Sequence, residues 1–468
     1  MRPDYARPGG PWDVPPLSQL PAPAVVDGDV RRESGEVSDR AARLAAWLRG
    51  RGVGHGDRVS FGFGPGEDAL LAYLACWRIG AVAAPFHHRA TAVERDALLA
   101  RIGPRLSLDA IPLLDEQPTV EPAGVAGDDL AVLLPTSGSS GVPKLVRHTH
   151  RGLAGKARAM VATHQLRADD VVLMPAPMAH ISGLLNGLLL PGQAGMTVVF
   201  MARWDADAAL QLIAREHVSF MIGPPTYFVQ LMRSPNFSPE RVVSLRLLSC
   251  GGAGVTEDFC RAASDAFGAR VKRTYGSTEA PTVTTSYADD DPALGWSTDG
   301  RPVGDAELRV ADTGELSVRG PELFEGYDGD PATTAAVLDD DGWFRTGDRA
   351  RIDDGWLTIL GRIGDTIIRG GENVEPAEVE RVCGLLPGVS QAVVVGYPDD
   401  VMGHRVGLVV VADHAPTVDE VRAHCAAHGL ARFKHPERVL SIDVLPIRTV
   451  GKPDRAALSV LLAADATT

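Results

Sequence analysis

Short apolar runs that stop at a glycine- or proline-bearing loop recur along this chain with helix-like stretches between them, and this alternation restricts the fold more than any other feature. DRVSFGFG is followed by ALLAYLACWRIGAVAAPF, a buried helix running into another strand. VVLMPAP, TVVFM, SFMIGPP and SLRLLSCGG repeat the strand pattern. Strands alternating with helices predict an α/β protein whose central strands run parallel. In open sheets of this kind the loops beyond the C-terminal ends of the strands are where ligands bind. Residues 1 to about 35 read as an irregular arm, because proline and glycine interrupt every short apolar run. Order is expected from Ser38, a candidate N-cap for a helix with Ala42, Leu44, Ala45, Leu48 and Val53 near helical spacing and a stop near Gly50.

Two later changes of pattern divide the chain. From Glu307 to Ile359 the runs ELRVAD, GELSVRG and ARIDDGWLTIL are short and separated by turns, as in a small β subdomain. Beyond about residue 365, strands such as QAVVVGY and VGLVVVA mix with the helical patterns PAEVERVCGLL and TVDEVRAHCAAHG, which reads as a separate α+β domain. A chain of 468 residues exceeds what one core serves well. The expected organisation is a large N-terminal domain of stacked αβα sheets with the small β subdomain, residues 1–363, followed by a small α+β domain, residues 364–468.

The net charge of -14 argues against non-specific binding to nucleic acid or to an anionic membrane surface, while leaving room for a local basic pocket. The five cysteines are scattered and form no Cys-x-x-Cys, so buried free thiols are expected rather than a disulfide framework or a zinc site. The opening MRPDYARPGGPWDVPP has no apolar stretch like a signal peptide, and no apolar run approaches the roughly 18 residues a spanning helix needs. No membrane insertion and a cytoplasmic location are expected.

The most informative segment is LLPTSGSSGVPK, an apolar strand ending in a loop of hydroxyl residues and glycines closed by Lys144. Glycines let backbone N–H groups approach a polyphosphate, the hydroxyls of Thr136, Ser137, Ser139 and Ser140 donate to phosphate oxygens, and Lys144 adds charge. It is not a Walker loop, because Leu145 stands where a magnesium-binding Ser or Thr would follow the lysine. Alone, the segment serves equally as a flexible Gly/Ser loop.

Further motifs follow in a fixed order: SCGGAGVT at Ser249–Thr256, YGSTEA at Tyr275–Ala280, WFRTGD ending at Asp348, GRIGDTIIRGGENVEPAEVE at Gly361–Glu380, and LPIRTVGKPDRAAL near the end. With the phosphate loop, this series resembles the adenylate-forming superfamily of acyl-CoA synthetases, firefly luciferase and the adenylation domains of peptide synthetases, from about Ser38 onward. The resemblance implies that Thr136, Ser137, Gly138, Ser139, Ser140, Gly141 and Lys144 hold the phosphates of ATP. It implies that Gly251, Gly252, Ala253, Tyr275, Gly276 and Ser277 border the nucleotide, and that Thr278 and Glu279 act in catalysis, with Glu279 binding Mg²⁺. Asp348 then accepts the ribose hydroxyls, Arg362 contacts ribose or phosphate, and Asn373 stands near the site entrance. Asp365 and Arg369 read equally well as surface charges.

PMAHISGLL resembles the family segment whose histidine flanks the acyl carboxylate, which assigns His180 and, beside it, Ser182. GPPTYFVQL resembles a wall of the acyl pocket, with Thr226, Tyr227 and Phe228, and the small residues Gly251, Gly252 and Gly276 leave room for a ring or chain. The family's hinge position is Gly364, where aspartate or lysine is usual, and Lys452 falls on the catalytic lysine of a mobile C-terminal domain. The implied reaction is ATP-dependent activation of a small-molecule carboxylic acid as acyl-AMP, followed by transfer to the thiol of coenzyme A. Rival acceptors are a carrier-protein thiol, an amine or, in unusual relatives, nitrite chemistry. A monomer or homodimer is expected.

Overall fold

The computed structural model describes residues 13–136, 143–251, 255–370, 372–399, 401–447 and 453–464. The chain divides into two compact units, one of Met1–Leu308 with Val318–Phe344 and one of Arg309–Ser317 with Arg345–Thr468.

In the first unit the strands Ala24–Asp27, Thr197–Phe200, Val171–Met174, Phe220–Gly223, Leu247–Cys250 and Arg270–Tyr275 lie side by side and parallel in a nine-stranded sheet. Short antiparallel strands close both edges, Val30–Arg32 on one and Thr284–Thr285 with Arg301–Pro302 on the other. A second sheet runs Leu106–Leu108, Arg58–Phe61, Val82–Pro85 and Leu130–Thr136 in parallel, with Lys144–Thr149 antiparallel at its edge.

Consecutive residues of the large sheet point to opposite faces, as a pleated strand requires. Val172, Val198 and Leu247 enter one core, and Leu173, Val199 and Leu248 the other. The first core also takes Val59, Ala83 and Val132 of the second sheet and the apolar faces of helices Ser34–Gly50, Glu67–Arg78 and His150–His164, so these helices are sandwiched between the sheets. The other core is roofed by helices Ala206–Glu216, Pro225–Arg233 and Glu257–Phe267. Helix Ala92–Ile102 covers the outer face of the smaller sheet through Leu98 and Ile102. The expected α/β class with stacked layers is the one observed.

Two local expectations need correction. The segment read as an irregular arm contains the strand Ala24–Asp27, which joins the large sheet beside Thr197–Phe200. Pro21 and Pro23 precede that strand, where a missing N–H breaks no ladder hydrogen bond, and its partner is far away in sequence. The following helix begins at Ser34 with Glu33 as N-cap, and Glu33 and Glu36 form a reciprocal capping box; Ser38 therefore lies inside the helix.

In the second unit, Val389–Asp399 and Gly403–Ala412 form a long antiparallel pair. Val394, Val406, Leu408 and Val410 meet helices Pro376–Cys383 and Val418–Ala427 on one face, while Val393, Val395 and Val409 meet Leu458 and Leu462 of helix Arg455–Ala464 on the other. The strands Glu315–Arg319, Phe344–Asp353 and Trp356–Arg362 lie in the four-stranded sheet anticipated from the β-like runs. All five cysteines are free and buried. Among the described residues no helix is long and apolar enough to cross a membrane.

Candidate active site

Thr136 and Lys144 are register partners at the end of two antiparallel strands, so the loop joining them starts and finishes at one place. Ser137, Gly138, Ser139, Ser140 and Gly141 of that loop lie outside the described residues, as do Gly252 and Ala253. Lys144 extends over the ring of Tyr327, with Nζ 4.6 Å from the centroid. The hydroxyl of the same tyrosine donates to Glu279 Oε1 at 2.9 Å. One aromatic side chain thus links Lys144 to the carboxylate of YGSTEA.

The backbone around Glu279 is pinned as firmly as its side chain. His148 Nε2 donates to the Thr278 carbonyl at 2.7 Å, and Phe324 N–H donates to the Glu279 carbonyl at 2.9 Å. Burial pushes His148 down to about 4, so the ring is neutral and its single N–H sits on the nitrogen that makes this bond. Ser277 and Ala280 close the turn, with Ser277 N–H donating to the Ala280 carbonyl at 2.9 Å and Ala280 N–H to Ser277 Oγ at 3.2 Å. A Cβ on Gly276 would stand 2.5 Å from Thr282 N, and one on Gly251 2.6 Å from Thr274 Cγ2. At both positions the space a side chain would need is filled by the protein itself, so close approach of the turn explains the glycines. Tyr275 ends the strand that leads into this turn.

Glu279 is half-buried, and its second carboxylate oxygen has no hydrogen-bond partner among the described residues. Those residues also contain no cluster of three His, Cys, Asp or Glu side chains fit to hold a metal. A lone, oriented carboxylate near the ammonium of Lys144 has the chemistry that suits Mg²⁺, a hard cation usually held between one or two carboxylates and substrate phosphates.

The residues assigned to the acid lie at neighbouring strand ends. His180 caps the short helix Ile181–Leu184, which contains Ser182 and passes into a π-helical stretch, Leu185–Leu189, a geometry common at functional sites. Burial, and then the nearby His88, holds the His180 ring below its ordinary pKa. His87 approaches it edge-on at 5.7 Å and stacks on His88 at 4.7 Å. Burial first, and then His180 and His88, push His87 down to about 4, so this imidazole is neutral near pH 7. Tyr227, following Thr226 at the start of helix Pro225–Arg233, stacks on Trp204 with centroids 4.0 Å apart. Phe228 turns away from them: its ring is fully buried against Phe259 and Phe267, which makes it a core residue that supports the helix.

In the second unit Asp348 and Arg362 face each other across an antiparallel pair, and Arg362 Nε donates to Asp348 Oδ1 at 2.7 Å. Gly347 has φ +72 and Gly361 φ +152, both in the region that favours glycine, and each immediately precedes one of the pair. Gly361 lies beside a register shift that leaves Leu360 unmatched, a bulge that re-aims Arg362. Gly364 sits in a single 3-10 turn, Ile363–Asp365, where a Cβ would meet nothing within 4 Å. Arg369 is engaged by Glu437 at 2.7 Å, and Asp365 lies 3.5 Å from Arg455. Lys452 and the side chain of Asn373 lie outside the described residues.

Tyr327, His148, His87 and His88 carry no recognisable motif. Tyr327 follows the mixed segment PELFEG, His148 lies inside the strand Lys144–Thr149, and His87 with His88 form a dipeptide just beyond the strand Val82–Pro85.

The family model described as AMP-binding enzyme matches residues 18–121 and 111–328, and that of the AMP-binding enzyme C-terminal domain matches residues 378–452. The chain is 30% identical over 485 residues to the medium-chain fatty-acid–CoA ligase of Escherichia coli, covering 92% of this chain and 86% of that protein. It is 33% identical over 480 residues to a feruloyl-CoA synthase of an Amycolatopsis species, covering 95% and 96%. Among solved structures it resembles ATP-bound MatB from Rhodopseudomonas palustris with a TM-score of 0.83 and 29% identity, covering 95% of this chain and 97% of that one.

Proposed function

The chain belongs to the AMP-binding enzyme family, and on that premise we propose that it is an AMP-forming acid–thiol ligase that makes acyl- or aryl-CoA thioesters. A carboxylate oxygen of the acid attacks the α-phosphorus of ATP, the bond from that phosphorus to the bridging oxygen breaks, and pyrophosphate leaves. The thiol of coenzyme A, giving up its proton to solvent, then attacks the acyl carbon through sulfur, and AMP departs with the bonding electrons of the acyl–oxygen bond.

We assign Lys144 and Thr136 to the phosphates, Tyr275, Gly276 and Gly251 to the nucleotide, and Asp348 with Arg362 to the ribose. Glu279 is the residue that would hold Mg²⁺ together with the phosphates, and the ion when bound supplies positive charge against the departing pyrophosphate. His180, whose pKa is lowered by burial, would orient the acid's carboxylate through its N–H. Lys452 would bring an ammonium to the α-phosphate, countering charge as it spreads in the transition state. Most of the rate enhancement then comes from positioning and electrostatics. The protein is proposed to act in the cytoplasm as a monomer or homodimer, in keeping with its acidic balance.

The observation that carries this reading is the group Lys144, Tyr327 and Glu279, which holds a cation and a carboxylate close together without letting them pair. Exchange of labelled pyrophosphate into ATP, driven by a panel of aryl, short-chain and medium-chain acids, tests it, with mass analysis of products formed in the presence of CoA, an amine or nitrite. Acid-dependent exchange and a CoA thioester are expected. Silence with every acid would sink the reading, and a product with amine or nitrite alone would replace CoA by another acceptor.

A further inference from the structure

We infer that Tyr327 is a positioning residue for adenylation, which keeps Lys144 and Glu279 oriented and apart for the nucleotide's phosphates and their metal; this rests on the proposed function above. Two opposite charges facing one small site have an obvious alternative, a direct salt bridge, in which each would be unavailable to a ligand. Lys144 and Glu279 make no ion pair with one another, and Tyr327 stands between them.

A phenol suits that place because it engages both charges without neutralising either. Its O–H orients one oxygen of Glu279 at 2.9 Å and leaves the carboxylate its full charge. Its ring face attracts the Lys144 ammonium, 4.6 Å from the centroid, through the quadrupole. Donating the proton toward a carboxylate makes the ring more electron-rich, so each contact strengthens the other. An arginine or lysine in the same position would compete with the metal for Glu279.

The ring is also held by unusually many independent restraints. Residues 325–328 pair with the strand that begins at Lys144: Glu325 N–H donates to the Arg147 carbonyl at 2.9 Å, Arg147 N–H to Gly326 at 3.1 Å and Asp328 N–H to Leu145 at 2.8 Å. Val146 and Tyr327 are directly opposed in that pairing. Asp328 receives both Nη atoms of Arg58, at 2.9 and 3.0 Å, which ties the segment to a second strand of the same sheet. Tyr327 N–H donates to Thr334 Oγ1 at 2.9 Å, and Phe324 sets its ring edge-on 5.1 Å away. Gly326, with φ +129, lets Thr334 pack close against this segment, since a Cβ there would stand 2.7 Å from Thr334 Cγ2. A side chain held this way needs no rearrangement when substrate arrives.

Tyr327→Phe and Tyr327→Leu separate the two contacts. The Phe variant keeps the ring and loses the hydroxyl; the Leu variant loses both. Binding of α,β-methylene-ATP is measured calorimetrically over a Mg²⁺ titration, alongside pyrophosphate exchange. The Phe variant should need about tenfold more Mg²⁺ for half-maximal analogue binding while approaching wild-type affinity at saturating Mg²⁺. The Leu variant should in addition bind the analogue several-fold more weakly at every Mg²⁺ concentration. A Phe variant with a wild-type Mg²⁺ midpoint overturns the inference, as does an equal loss in both variants at saturating Mg²⁺, which would mark a merely structural role. Wild-type protein that exchanges with no acid would instead remove the proposed function itself.

Discussion

Asp348 and Arg362 are register partners on adjacent strands, and the guanidinium holds one carboxylate oxygen at 2.7 Å. The two groups assigned to the ribose are therefore aligned by each other as well as by Gly347 and Gly361. Asp348 is nearly buried, with 11% of its side chain exposed, whereas Arg362 is 60% exposed, so the pair contributes little to stability and its value lies in aim. Asp348→Asn should raise the KM for ATP about 10–100-fold, the loss expected when charge-assisted hydrogen bonds to a diol become neutral ones. The melting temperature should barely move. Unchanged affinity for ATP and AMP by calorimetry would remove Asp348 from the nucleotide site.

Gly364 raises a different question, because its observed conformation does not require glycine. Its φ lies outside the left-handed region and a Cβ would stand in open space. Any need for glycine must then come from a second backbone state. Gly364→Ala should leave the fold as stable or more stable by about 0.4–1 kcal/mol, through the unfolded chain. If residue 364 is the hinge, exchange should persist while CoA thioester formation slows about tenfold. Lys452→Ala should show the reverse split, with exchange abolished and thiolysis of supplied acyl-AMP retained. Equal losses in both half-reactions for Gly364→Ala would argue against the hinge.

The strand-and-helix alternation was readable because parallel strands buried on both faces are continuous apolar runs, as in VVLM and TVVF. Ala24–Asp27 escaped notice because four residues carry too little pattern, and what makes them a strand is a neighbour at Thr197–Phe200. The same limit applies at the site. Glu279 and Asp348 lie in motifs whose spacing is local, so the sequence points to them. Tyr327 matters through partners at positions 144 and 279, and His148 through the carbonyl of Thr278, contacts that only the folded chain creates. Phe228, next to Tyr227 in the same motif, is buried against Phe259 and Phe267, because successive helix positions point about 100° apart.

Lys156 and Glu322 form an ion pair at 2.8 Å with side chains 0% and 1% exposed, and Lys156 also donates to the Thr282 carbonyl at 3.1 Å. The pair fastens helix His150–His164 to the segment that continues into Phe324 and Tyr327, so it supports the site from behind. Lys156→Met alone should cost about 3–5 kcal/mol, because the buried carboxylate loses its counter-ion. Adding Glu322→Leu should restore much of that loss, since an apolar pair of similar volume avoids desolvation altogether. Thermal unfolding of the two single variants and the double variant checks this. A double variant whose loss equals the sum of the two single losses would show that the pair is not coupled.

His150 gives a prediction for pH. Its ring is fully buried, neither ring nitrogen has a hydrogen-bond partner among the described residues, and it lies edge-on to Trp77 at 6.4 Å. Burial pushes it down to about 4, against a smaller opposing pull from Asp129. Above its ordinary pKa the ring is neutral in folded and unfolded chains alike, and stability is indifferent to it. As the pH falls below that value, the unfolded chain takes up a proton that the folded ring refuses until pH is near 4, so stability is lost across that window. His150→Phe removes the titration without breaking a side-chain hydrogen bond, and at about pH 5 it should recover roughly 1–2 kcal/mol of the acid-induced loss. His87 and His148, also held near 4, continue to titrate, so the stability curve should flatten without becoming level. Melting temperatures of wild type and variant across this range decide the matter: parallel curves would mean that His150 is already protonated in the fold.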